Sequence, residues 1–272
     1  MIFEQLQESL DFIKKKVKTF PSIGIILGSG LGTFADKLDH LTVINCKEIP
    51  HYPVSTVPGH EGLLYFGKLD NIDVLALKGR VHLYEGYSAH QVTYSVQIMA
   101  ELGIKSLIVT NAAGGVNKNF SAGDLMLITD HINFTFSNPL IGLPVSTEDN
   151  RFVDMSEPYY PPYLELIEKI SEDLNISIQK GVLFVSKGPC YETAAEVKMV
   201  KALGGDAVTM STVPEVIMAN QKGIRVSGIS CITNMATGIS DQKLDHKEVT
   251  VTANKIKNTF IKLISEIIKR IS

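Results

Sequence analysis

Ile23-Gly24-Ile25-Ile26-Leu27-Gly28-Ser29-Gly30-Leu31-Gly32 is the stretch on which the fold turns. A short apolar run without a polar break reads as a buried strand, and the glycines after it read as a tight turn into a helix. Consecutive backbone N–H groups in such a turn can converge on an anion, and a helix N-terminus would reinforce them. The spacing misses the dinucleotide-binding fingerprint by one position. It also lacks the Gly-Lys-Ser/Thr ending of a P-loop. By itself the stretch fits a plain tight turn equally well.

Working outward, Leu6, Leu10, Ile13 and Val17 form one stripe of an amphipathic helix that Pro21 terminates. Residues 63–69 and 72–77 read as strands paired around Asp70-Asn71, residues 90–102 as a helix, and Ser106 to Thr110 as another buried strand. Leu125 to Thr129, Val182 to Val185 and Ile224 to Ile229 are strand-like, with helical character over 161–174, 193–203 and 214–222 between them. Val249, Ala253, Ile256, Phe260, Leu263, Ile267 and Ile271 share one face of a long final helix. The alternation predicts an α/β fold: a single-domain, three-layer α/β/α sandwich around a mainly parallel sheet, spanning residues 1–272. Residues 137–162 form one long irregular excursion, the kind that serves function or an interface.

The chain has 272 residues, 44% hydrophobic, and a formal net charge of −3. That balance excludes a generally basic nucleic-acid binder and leaves room for a local anion pocket. Cys46, Cys190 and Cys231 are widely separated and form no CxxC pair, as expected in a reducing compartment. No apolar run approaches the length of a membrane span, and the N-terminus lacks a signal-peptide pattern, so the expectation is a cytoplasmic protein without membrane or nucleic-acid partners.

Candidate chemistry gathers at predicted strand ends, where open α/β sheets bind ligands. In Lys78-Gly79-Arg80-Val81-His82-Leu83-Tyr84-Glu85-Gly86, alternation puts Arg80, His82 and Tyr84 on one side of an extended segment. A guanidinium fork beside an imidazole makes a phosphate clamp, and a solvated strand end is the plain alternative. His60 lies on a glycine-flanked loop, where a histidine is commonly a surface or packing residue. Thr110-Asn111-Ala112-Ala113-Gly114-Gly115 ends its strand in small residues that let a ligand approach the backbone. Glu192 fits a first-turn carboxylate favoured by a helix dipole, with Thr193 as cap. Ser211 or Thr212 fits a cap ahead of Pro214. Thr233-Asn234 follows the last strand, and His246 opens the final helix. The seven histidines include no HExxH, there is no Cys-His cluster and there is no GxSxG elbow, so neither a metal site nor a hydrolase serine is expected.

Eight ordered stretches carry a resemblance: LGSGLG (27–32), VPGHEG (57–62), KGRVHLYEG (78–86), TNAAGGVN (110–117), SNPLIG (137–142), GPCYETAAE (188–196), MSTVPEV (210–216) and ITNMATG (232–238). In these, over nearly its whole length, the sequence resembles the trimeric type of purine nucleoside phosphorylase. The resemblance implies a distorted mixed sheet within the sandwich and a homotrimer. It implies phosphate held by Ser29, His60, Arg80, His82, the backbone N–H of Ala112 and Ser211. It also implies ribose contacts from Tyr84, Met210 and His246, and a purine gripped by Glu192 and Asn234 with Tyr191 as an aromatic wall. Glu192, Asn234 and His82 would carry the catalysis, with inorganic phosphate as co-substrate and no cofactor or metal. Phe152 matches a phenylalanine that the family lends to a neighbouring subunit's site.

Leu143 to Asn150, Val153 and Cys190 depart from the usual pattern. A 6-oxopurine offers N1–H as donor and O6 as acceptor, which suits a carboxylate with a carboxamide, so inosine and guanosine are expected over adenosine. The competing expectations are a 5′-methylthioadenosine phosphorylase, which has an aspartate at the position of Asn234, a nucleoside hydrolase, and a binding module without turnover.

Overall fold

The buried run Ile23–Leu27 lies at the centre of a nine-stranded mixed sheet. In the computed structural model, residues 2–57, 59–60, 62–143, 152–239 and 246–272 are described. The elements in chain order are α1 (Ile2–Lys16), β1 (Ile23–Leu27), β2 (Asp39–Asn45), β3 (Leu63–Leu69), β4 (Ile72–Lys78), α2 (Ala89–Val92), α3 (Tyr94–Glu101), β5 (Ser106–Gly115), β6 (Leu125–Asn133), α4 (Pro161–Asp173), β7 (Ile178–Val185), α5 (Ala194–Ala202), β8 (Ala207–Thr209), α6 (Val213–Gln221), β9 (Arg225–Met235) and α7 (His246–Ile271).

Pleating sends successive β1 side chains to opposite faces, so each face can bury its own layer of helices. Ile26 packs with Leu6, Leu10 and Ile13 of α1, with Val96 and Met99 of α3, and with Val216 of α6. Ile25 and Leu27 pack with Ile167 and Ile170 of α4 and with Phe260, Leu263 and Ile267 of α7. Each such side chain contributes roughly 1.5–3 kcal/mol when fully buried. The expected α/β architecture is therefore present, with helices on both faces of a mixed sheet.

The strand order is β2-β3-β4-β1-β5-β8-β7-β6-β9, and β9 pairs back onto β5. Five of the nine pairings are parallel. The β9–β5 pairing closes five strands on themselves while β1 to β4 extend as an open wing, which is the distortion of the sheet. β5 runs beside β9 from Ser106↔Arg225 to Gly115↔Met235, with a bulge at Ala113/Gly114 that brings Gly114 opposite Asn234.

Four local expectations are corrected. Gly28 to Gly32 leads not into an α-helix but into a six-residue 3-10 helix, Gly32–Lys37, whose cap Leu31 makes no side-chain hydrogen bond. The turn therefore has no α-helix dipole behind it. The helix expected over 90–102 divides at Thr93, whose hydroxyl turns back to the carbonyls of Ala89 and His90. The strand expected over Ser106 to Thr110 is only the first half of β5, which runs on to Gly115. Glu192 precedes Thr193, the cap of α5, and so stands outside the first helical turn.

Candidate active site

A cleft of about 780 Å³, counted out to its mouth, opens beyond the carboxyl ends of β1, β4, β7 and β8. One end is built from the turns after β1 and β4 and from the residues after β8. Gly28 sits so close to β5 that a Cβ there would lie 2.7 Å from Asn111 Cα, so only glycine permits this approach. The Gly28 N–H donates to Thr110 Oγ1 at 3.1 Å, which fixes Ser29 at the cleft wall.

Arg80, only 5% exposed, is the hub of this end. Its Nη1 donates to Thr212 Oγ1 at 3.1 Å and to Ser211 Oγ at 3.3 Å, and lies 3.1 Å from Glu215 Oε1. Its Nη2 donates to the carbonyl of Thr110. Its Nε is buried without a protein partner, although the side chain lines the cleft. A buried donor without a partner is costly, and a guanidinium at a cleft wall is suited to an anion. Thr212 holds a positive φ of 81°, and its hydroxyl caps no helix but also accepts from Asn111 Nδ2 at 3.0 Å.

The two histidines are each locked in one orientation. The Arg80 N–H donates to His60 Nδ1 at 3.0 Å, so His60 carries its proton on Nε2 and donates it to Ser29 Oγ at 2.8 Å. The Ser29 hydroxyl proton is then available to a ligand. Burial, followed by the charges of His82 and Arg80, holds the His60 pKa down at about 3. His82 donates from Nδ1 to Glu85 Oε1 at 3.0 Å, which leaves Nε2 for a ligand. Burial pushes the Glu85 carboxyl up, but hydrogen bonds from His82 and Thr56 outweigh it and hold the pKa at about 2. Tyr84 stacks on His82 with ring centroids 4.6 Å apart.

The other end carries a carboxylate and a carboxamide. Ser186 Oγ donates to Glu192 Oε1 at 2.7 Å. Asn234 Oδ1 accepts from Thr233 Oγ1 at 3.0 Å, so its Nδ2 is the amide atom with donor capacity for the cleft. Gly188, at φ 67°, packs so tightly on Met210 that a Cβ would fall 2.4 Å from its sulfur, coupling the loop before Glu192 to the segment after β8. Thr209 Oγ1 anchors that segment to the Ala112 carbonyl at 3.1 Å.

The cleft brings together Ser29, His60, Arg80, His82, Tyr84, Ala112, Tyr191, Glu192, Met210, Ser211 and Asn234. Phe152 does not line it; the side chain is 83% exposed. His246 opens α7, and its side chain lies outside the described residues, as do residues 144–151. Sequence reasoning missed the supports beneath the lining: Glu85, Thr212, Glu215, Ser186 and Thr110. The i, i+3 spacing of His82 and Glu85 was the one available signal. Among the described residues no group of three or more His, Cys, Asp or Glu side chains could hold a metal ion.

Oxyanion donors at one end of a cleft, with a carboxylate and a carboxamide at the other, define a site that seats an anion beside a polar heterocycle. The model of the phosphorylase superfamily matches residues 22–269, and the chain belongs to that superfamily and is an enzyme. It is 52% identical to purine nucleoside phosphorylase 1 of Bacillus subtilis over 97% of this chain and 98% of that one. Bovine purine nucleoside phosphorylase is 41% identical over 91% and 88% of the two chains. The solved Schistosoma mansoni purine nucleoside phosphorylase bound to adenosine superposes with a TM-score of 0.93, at 36% identity, over 99% of this chain and 98% of that one. The same parasite's enzyme bound to inosine gives 0.91 at 36% identity, over 97% and 95%.

Proposed function

We propose that this enzyme catalyses the reversible phosphorolysis of 6-oxopurine ribonucleosides and deoxyribonucleosides, inosine and guanosine, to free purine and α-D-ribose (or deoxyribose) 1-phosphate. The observation that carries the reading is the shared cleft: Ser29, Arg80 and Ser211 line one end, fit for an anion, and Glu192 and Asn234 line the other, fit for a base.

Bond cleavage leaves cationic character on the sugar and negative charge on the departing purine. Phosphate held by Ser29, Arg80, His82, Ser211 and the Ala112 N–H supplies the nucleophile, and its charge stabilises the cationic sugar. Asn234 donates toward N7, and Glu192 accepts from N1–H. The Asn234 bond strengthens as the base gains electrons and so favours the transition state over the bound substrate, while Glu192 fixes the base in register. Tyr84, Met210 and His246 are assigned to the ribose, and Tyr191 to a wall of the base site. The reaction so written uses phosphate as co-substrate and requires no cofactor.

We assign the chain one functional unit and a cytoplasmic homotrimer. The large apolar side chains of Phe136, Ile141 and Phe152, 82%, 77% and 83% exposed, favour an assembly in which Phe152 serves a neighbouring site. Among the described residues no helix is long and apolar enough to cross a membrane.

The competing reading is 6-aminopurine turnover, since the Schistosoma mansoni relative was solved with adenosine. The substitution Asn234→Asp tests the base assignment: the inosine-to-adenosine ratio of kcat/KM should fall at least tenfold. An unchanged ratio removes Asn234 from base selection.

A further inference from the structure

Glu192 stands on the loop between β7 and α5, half-buried, on a side chain with three rotatable bonds. Its backbone is held from behind, because Thr193 caps α5 with reciprocal bonds to Glu196 at 2.7 and 3.2 Å. Its carboxylate is held by one group: among the described residues, Ser186 Oγ is its hydrogen-bond partner, 2.7 Å from Oε1. Ser186 itself is pinned, donating its N–H to the Thr209 carbonyl at 3.0 Å, on the segment that leads to Met210 and Ser211. The hydroxyl therefore ties the base-reading carboxylate to the same β8 edge that carries the ribose and phosphate contacts.

We propose that Ser186 is a positioning and specificity-determining residue, which fixes one oxygen of Glu192 so that the other meets N1–H of the purine and thereby sets the balance between inosine and guanosine. The proposal rests on the 6-oxopurine reading above. A carboxylate oxygen already accepting one hydrogen bond has one site left. With inosine bound, Ser186 is the group that satisfies Oε1. With guanosine bound, the 2-amino group beside N1–H is a second donor for the same oxygen. Removing the hydroxyl therefore costs inosine more, because guanosine brings a replacement donor of its own.

The test is Ser186→Ala beside Ser186→Thr, assayed with inosine, guanosine and adenosine at saturating phosphate. Loss of a hydrogen bond to a charged group should lower kcat/KM for inosine about tenfold, mostly in kcat, and lower guanosine by about a third as much. The guanosine-to-inosine ratio then rises about threefold, the phosphate KM stays as in the unmodified enzyme, and Ser186→Thr restores the original ratio. Equal losses for the two nucleosides, or none, overturn the role of Ser186 alone. An unmodified enzyme that prefers adenosine to inosine overturns the substrate reading and this proposal with it.

Discussion

Arg80 Nη1 lies 3.1 Å from Glu215 Oε1, with the two side chains only 3% and 4% exposed, so the cation at one end of the cleft is already paired by the protein. A buried guanidinium without a counter-charge would be strongly disfavoured, and Glu215 on α6 supplies one. On the phosphorolysis reading, phosphate would meet directed N–H and O–H donors around a compensated charge.

Glu215→Gln keeps the shape of the side chain and removes that compensation. It should lower stability by roughly 3–5 kcal/mol, seen as a fall of several degrees in the thermal midpoint by circular dichroism. Added phosphate should then raise the midpoint more in the variant than in the parent, because the anion becomes the nearest counter-charge. A midpoint equal to the parent's would mean that Glu215 does not compensate Arg80.

Arg80→Lys should fail to rescue phosphate use. One ammonium cannot reach Thr110, Thr212 and Ser211 together, whereas the planar guanidinium reaches all three. The phosphate KM should rise at least tenfold with the inosine KM little changed. Phosphate saturation curves at fixed inosine check this, and an unaltered curve would make Arg80 a structural residue only.

These supports explain how far the sequence could be read. The lining was legible because its residues sit in short local motifs at strand ends, such as Arg80, His82 and Tyr84 two apart on an extended segment. The supports were not, because their meaning lies in contacts between distant segments: Arg80 meets Ser211 and Thr212 across more than 130 positions. Glu215 looks like an ordinary first-turn acid, and Thr212 like a cap, until the fold sets Arg80 against both. In the same way β2 escaped notice as an edge strand that opens on Asp39-His40, closes on Asn45 and pairs with β3. The closure of the sheet was hidden because β5 continues through Asn111 to Gly115, small and polar residues of low strand propensity.

His60 gives the pH dependence of stability. Its folded pKa of about 3 lies below the ordinary 6.5, so the unfolded chain binds the proton first. The His60 contribution is therefore complete above about pH 6.5 and is lost as pH falls toward 3, amounting to about 2 kcal/mol lost by pH 5. Urea melts at pH 7 and pH 5 should show this loss in the parent, and His60→Asn should show about 2 kcal/mol less of it. Equal losses in the two proteins would contradict a neutral, Nε2-protonated His60.

The most direct test of the whole account is inosine cleavage by the purified enzyme with and without inorganic phosphate, following hypoxanthine and ribose 1-phosphate together. The account predicts cleavage only with phosphate and equal amounts of the two products. Cleavage at the same rate without phosphate, releasing free ribose, would contradict the assignment of the Arg80 end of the cleft as the seat of the nucleophile.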